Sequence, residues 1–113
     1  MLKNRIQAKS ALKTKLVPFP VPSWDETVHL KPLTAGELSD LLDEAQTDSH
    51  TADLRMVAIS VRDESGTALF TVPEVRDLDP VGYGETLRRC TEINGLGKDS
   101  RDEKKAASDP TPT

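Results

Sequence analysis

A chain of 113 residues suits one domain, and it can bury a modest core only if most of it joins that core. Hydrophobic residues make up 35%, aromatics 4% and charged residues 30%, so a compact centre with poorly packed ends is expected, while the single cysteine, Cys90, excludes an internal disulfide and a multi-cysteine zinc site. Residues 1–15 carry five bases and no acid, residues 16–97 carry six bases and fifteen acids, and residues 98–113 carry four of each; a body at net minus nine repels phosphates and is not expected to bind nucleic acid as a whole.

Residues 1–14 form a basic arm in which Leu2, Ile6 and Leu12 stand among Lys3, Arg5, Lys9 and Lys13. A frayed helix or a mobile arm fits, because isolated helices this short are marginal in water. Residues 14–31 read as extended. Pro18, Pro20 and Pro22 each remove a backbone donor and disfavour helix before them, which leaves an edge strand or a polyproline-like strip. Trp24 follows, then Asp25-Glu26 as a turn. Thr27-Val28-His29-Leu30 alternates with period two and predicts a second strand, completing an irregular hairpin.

Thr34-Ala35-Gly36-Glu37 is a capping box and predicts a helix whose Leu38, Leu41, Leu42 and Ala45 share one face. Asp48 or Ser49 caps a second helix reaching about Arg62, with Leu54, Val57, Ala58 and Val61 at i, i+3, i+4 and i+7. The β-branched alternation of Val57, Ile59 and Val61 keeps a strand over residues 56–61 as the alternative. Asp63-Glu64-Ser65-Gly66 is a turn, and Ala68 to Thr71 is short and extended. Pro73 suits the first turn of a short helix through Asp77. Asp79-Pro80 starts the last helix, with Val81, Leu87, Cys90 and Ile93 as its apolar positions and Asn94-Gly95 as its end. Gly82 and Gly84 weaken its first turn by about 1 kcal/mol each relative to alanine. Beyond Lys98 no large apolar residue remains, so residues 98–113 are expected to be a disordered tail behind a compact body spanning 15–97. The fold class predicted is α+β: a small, mainly helical domain with an N-terminal irregular β-hairpin.

No constellation for chemistry emerges. His29 in a strand and His50 at a helix start have no recognisable nucleophile beside them. Gly82-Tyr83-Gly84 lacks the lysine of a P-loop and the third glycine of a dinucleotide fingerprint, and reads as a flexible helix start. Asp63-Glu64 and Asp77/Asp79 have the wrong spacing for a calcium loop and serve as caps and turn formers. Cys90, spaced from Leu87 and Ile93 along a helix, reads as a buried small hydrophobe, although Arg88 and Arg89 lie beside it. The basic arm has no interleaved aromatic for base stacking, and reads as solvated or as docking on an acidic surface, its own or a partner's. No apolar stretch approaches the roughly 18 residues of a membrane span, and the N-terminus lacks the apolar run of a secretion signal. No catalytic residue, cofactor site or metal site is therefore assigned, and a soluble, non-enzymatic protein-binding domain is expected.

The order of landmarks between Val28 and Gly97 resembles the tail assembly chaperones of phages with long, flexible tails. The matching pieces are Val28-His29-Leu30-Lys31-Pro32-Leu33-Thr34 before an acidic helix, the aliphatic segment ending Val61-Arg62-Asp63-Glu64-Ser65-Gly66, then Ala68-Leu69-Phe70-Thr71, Glu74-Val75-Arg76-Asp77-Leu78, and a last helix closing on Ile93-Asn94-Gly95-Leu96-Gly97. The proline-rich entry and the basic arm have no counterpart in the pattern. The resemblance implies a protein without catalytic residues that acts in the host cytoplasm. It would hold the tape measure protein while tail tube subunits polymerise around it, with the tail tube protein as a further partner, and leave before the particle is finished. It also implies a longer frameshift product in many phages. The competing expectations are a tail completion or head-tail joining protein that stays in the particle, a small regulator using the basic arm on DNA, and an enzyme of unrecognised type.

Overall fold

In a computed structural model of the chain, residues 1–96 are described, and the expectation for residues 98–113 lies outside them. The described residues form five helices and a three-stranded antiparallel sheet of order β1-β2-β3, an α+β fold.

Helix α1 (Leu2–Lys13) takes up nearly the whole basic arm, yet none of its residues is buried. Strands β1 (Val17–Val21) and β2 (Glu26–Leu30) make the hairpin, in register from Val17↔Leu30 to Val21↔Glu26. The strand period of two turns Val17, Phe19 and Val21 inward with Val28 and Leu30, and leaves Pro18 and Pro20 exposed. A proline fits a paired strand only where its missing N–H would have pointed away from the neighbour. Pro18 and Pro20 are thus compatible with β1 because β1 is an edge. The turn is Pro22 to Asp25: the amides of Trp24 and Asp25 both donate to the Val21 carbonyl, and Asp25 takes φ 54°. Glu26, expected in the turn, is instead the first residue of β2.

Helix α2 (Ala35–Thr47) begins at Thr34, whose hydroxyl accepts from the Glu37 amide at 3.2 Å while the Glu37 carboxylate accepts from the Thr34 amide at 2.9 Å, as the capping box requires. Asp48 ends α2 and caps α3 (Ser49–Ser60), accepting from the Thr51 amide and hydroxyl. The two helices therefore meet at one residue and fold into a hairpin tied by the Arg55–Glu44 ion pair at 2.7 Å. Helix α3 stops at Ser60, short of the expected Arg62, because Val61–Arg62 becomes β3 and pairs with Leu30 and His29 of β2. The helix reading therefore holds for residues 56–60, and of the strand alternative over residues 56–61 only Val61 is in a strand.

Helix α4 (Val72–Arg76) carries a second capping box, Thr71 with Glu74, and α5 (Pro80–Ile93) is capped by Asp79, which accepts from the Gly82 amide at 2.8 Å. The core lies between the inner face of the sheet and α3, α4 and α5. Val21, Leu30, Val57, Val61, Val75 and Cys90 are essentially without solvent contact. Asn94 ties the end of α5 back to the start of α2, donating to the Cys90 carbonyl at 2.8 Å and accepting from the Leu33 amide at 2.9 Å. Val81, expected to be an apolar packing position, faces solvent at 62% exposure.

Candidate functional site

The residues with chemical potential are occupied by structural work. Cys90 is fully buried, and burial pushes its thiol up to about 12 against a weaker opposing effect of the Ser60 hydroxyl, so no thiolate is available near neutral pH. That hydroxyl sits by the thiol without a hydrogen bond of good geometry. His29 lies within β2, its Nδ1 buried and unpartnered, whereas His50 is exposed on the first turn of α3. Asp63 accepts from the Ser65 amide, the Ser65 hydroxyl and the Thr67 amide at 2.6–3.0 Å, which holds its carboxyl below the usual range and closes the turn around Gly66 (φ 91°). Among the described residues no group of three His, Cys, Asp or Glu side chains could hold a metal ion.

The segment Gly82-Tyr83-Gly84 is not a flexible helix start. The Trp24 indole lies over Gly82, where a β-carbon would sit 2.7 Å from Cζ2 and closer still to Nε1 and Cε2. Trp24 Nε1 donates to Asp79 Oδ1 at 2.7 Å, and the other carboxylate oxygen takes the Gly82 amide. The amide that a phosphate would need already serves a carboxylate, so an anion finds no donor there. This clamp joins the hairpin turn to the start of α5, 55 residues later in the chain.

What the body offers outward is a groove. Leu38, Leu41, Leu42 and Ala45 of α2, Ala52 and Met56 of α3, and Leu96 line a shallow apolar cavity of about 70 Å³. Leu41 and Met56 form its buried floor, and Leu42 stands on its rim at 53% exposure rather than in the core. Asp53 also lines it. Loss of hydration raises the carboxyl of Asp53 above the ordinary value, against a weaker effect of His50. Helices α2 and α3 carry six acids and one base between residues 35 and 60. Glu37 pairs with Lys31, Glu44 with Arg55, and Asp48 caps a helix. Asp40, Asp43 and Asp53 neither cap nor form an ion pair among the described residues. Of these only Asp53 lines the cleft, while Asp40 and Asp43 are exposed on the side of α2 turned away from it, so the cleft fits an apolar side-chain ridge with room for a cation near Asp53.

A larger cleft of about 300 Å³ between β1 and α5 is walled by Phe19, Pro22, Glu85, Arg88, Arg89 and Glu92. Its charges answer one another, since both arginines approach Glu92 and Glu85 accepts from the Ser23 amide. Sequence reasoning placed Leu38, Leu41, Leu42 and Ala45 on one face but missed that Leu42 and Asp53 rim a groove. No helix of the described residues is long and apolar enough to cross a membrane. Comparison with protein-family models, with curated proteins and with solved structures finds no match.

Proposed function

We propose that this chain is a non-catalytic assembly chaperone of the phage tail kind, acting in the host cytoplasm and holding the tape measure protein through the α2–α3 groove. The observation that supports this reading best is the apolar cleft with half-exposed Leu42 on its rim and Asp53 in its lining. A cleft of that shape takes one ridge of an amphipathic helix, and a long helical client offers such ridges repeatedly. One small groove binds weakly. Many copies along one client bind strongly, because linked sites raise the effective concentration. The resemblance of landmark order between Val28 and Gly97 to the tail assembly chaperones supports the same reading, with the tail tube protein as a second partner.

The test is co-expression with the tape measure protein of the same phage, followed by co-purification and by mass spectrometry of finished particles. The chaperone reading expects the client to stay soluble in complex with this chain, and the chain to be absent from the particle. Stoichiometric presence in the particle would replace it with a tail completion or head-tail joining protein. Affinity should rise with the length of the client fragment and fall for Leu42→Glu.

A further inference from the structure

We propose that a pocket between α3, α4 and α5 holds an acidic side chain of a partner polypeptide, gripped by Arg76, His50 and the buried hydroxyl of Tyr83. The pocket lies apart from the α2–α3 groove: Ala52, Asp53 and Met56 of α3 line the groove, whereas His50 and Leu54 line the pocket. Its occupation does not depend on a client in the groove.

The pocket measures about 150 Å³, with Leu54, Val75 and Leu78 as apolar walls and His50, Arg76 and Tyr83 as polar ones. Its polar groups are unspent. The Tyr83 hydroxyl is buried without a hydrogen-bond partner among the described residues. A buried hydroxyl left unpaired costs stability, so a fold that keeps one on a pocket wall calls for an account. Burial, and then the nearby charge of Asp53, raises the Tyr83 phenol above its ordinary value, so at neutral pH it keeps its proton and donates. Arg76 is exposed at the end of α4, and neither its guanidinium nor the His50 imidazole forms an ion pair among the described residues.

A guanidinium, an imidazole and a phenol on one pocket select an anion that accepts at two oxygens, and the planar fork of an arginine matches a carboxylate. No carboxylate of the chain lines the pocket. Two act on it from outside: Asp53, whose charge reaches His50 and Tyr83, and Asp48, the α3 cap, whose charge reaches His50. Neither forms an ion pair with His50, and neither satisfies the Tyr83 hydroxyl. With Arg76 as the one permanent cation on the wall and two acids nearby, a singly charged carboxylate is favoured over a phosphate dianion. Size then decides what carries it. Pockets that bury a whole small-molecule ligand measure about 300–1,000 Å³. A pocket of half the lower figure takes one side chain presented by something larger. Its apolar walls meet the methylenes of that side chain and its polar walls meet the carboxylate.

The experiment is an amide NMR titration of the full, isotope-labelled chain with a capped alanine pentapeptide carrying one central glutamate, at fixed ionic strength. The glutamate peptide should shift the amides of His50, Leu54, Arg76, Leu78 and Tyr83 in a saturable way, and the same peptide with glutamine should not. Arg76→Gln, a change at an exposed site, should weaken binding about tenfold or more, as the loss of one charge-assisted contact does. Tyr83→Phe deletes only the orphan hydroxyl. It should weaken binding while melting no lower than the parent, because that hydroxyl has no partner in the chain to lose. A Tyr83 hydroxyl with a purely structural role would do the reverse, lowering the melting temperature and leaving binding unchanged, and that result overturns the proposal. So do shifts that fail to saturate, shifts equally large with the glutamine peptide, shifts centred on Asp53 and Met56 in the groove, or an Arg76→Gln protein that binds like the parent. Acetate binding as tightly as the glutamate peptide would make this a site for free carboxylates and overturn its assignment to a polypeptide. Inorganic phosphate binding more tightly than the peptide would overturn the choice of a carboxylate.

Discussion

Replacing Gly82 by alanine sets local helix chemistry against tertiary packing, and the two predict opposite signs. Within a helix alanine is favoured over glycine by about 1 kcal/mol, so propensity alone makes Gly82→Ala stabilising. In the fold the new methyl would enter the Trp24 indole, 2.7 Å from Cζ2 and nearer to two other ring atoms. Overpacking of this kind costs about 3 kcal/mol at the upper end of its range, since the obstacle is a rigid ring rather than the tip of a flexible chain. The net expectation is a loss of about 2 kcal/mol, which lowers the melting temperature by roughly 10 °C in a body of this size. Gly84 is the internal control, because a β-carbon there meets nothing within 4 Å. Gly84→Ala should therefore stabilise by up to about 1 kcal/mol. Urea unfolding followed by the emission of Trp24, the sole tryptophan, reads both variants and also reports whether the indole has been pushed into water. A Gly82→Ala protein at least as stable as the parent, with unshifted emission, would refute the clamp.

The remaining expectations concern the other supports of the fold. Leu41→Ala removes a side chain only 5% exposed beneath the α2–α3 groove and should cost about 2–5 kcal/mol in urea unfolding. Thr34→Ala deletes one half of the α2 capping box and should cost about 1 kcal/mol, with amide exchange accelerating at Glu37. The Asp79 carboxyl is lowered from the ordinary 3.8, first by the Trp24 indole N–H and then by the Gly82 amide. A carboxyl depressed in the folded state contributes stability that is complete above about 3.8 and is lost as pH falls through the lower folded value. Thermal melts from pH 6 down to pH 2 should show this loss, and Asp79→Asn should flatten it while losing stability at neutral pH.

Local rules carried the reading of this sequence as far as local physics decides structure. Thr34 with Glu37 and Asp79 with Pro80 announced their helices because a cap is a contact within four residues. The same pattern stands in Thr71-Val72-Pro73-Glu74, a second capping box legible from four adjacent residues beside the Pro73 signal. The β-branched run at residues 57–61 split between helix and strand, and the boundary at Ser60 depended on β2 being there to pair with Val61. The Trp24–Asp79–Gly82 clamp was beyond reach. Its members are 55 residues apart, and nothing in Gly82-Tyr83-Gly84 distinguishes a glycine that must accept a ring from one that merely weakens a helix. The groove was half legible: helical periodicity put Leu38, Leu41, Leu42 and Ala45 together, but only the placement of α3 decides that Leu41 is floor and Leu42 rim.

The way the sheet is finished bears on how copies of this chain can meet. A free strand edge is the commonest route to unwanted pairing between chains. In β1 the outward positions are Pro18 and Pro20, which leave carbonyls and no donors on that edge. At the opposite edge β3 is two residues long, and Arg62 is bridged to Ala68 while the Leu69 amide donates to Val61, so the edge is covered by the chain's own next segment. Strand addition is thus closed at both ends of a sheet that would otherwise be a cheap self-association surface. What stays open is helical: the solvent-exposed α1 and the α2–α3 groove. Strand pairing would align many backbone hydrogen bonds and hold a partner tightly, whereas a helix docking through side chains alone forms a smaller and weaker contact. On the chaperone proposal, a weak contact at each groove suits a client that is held at many sites and then released.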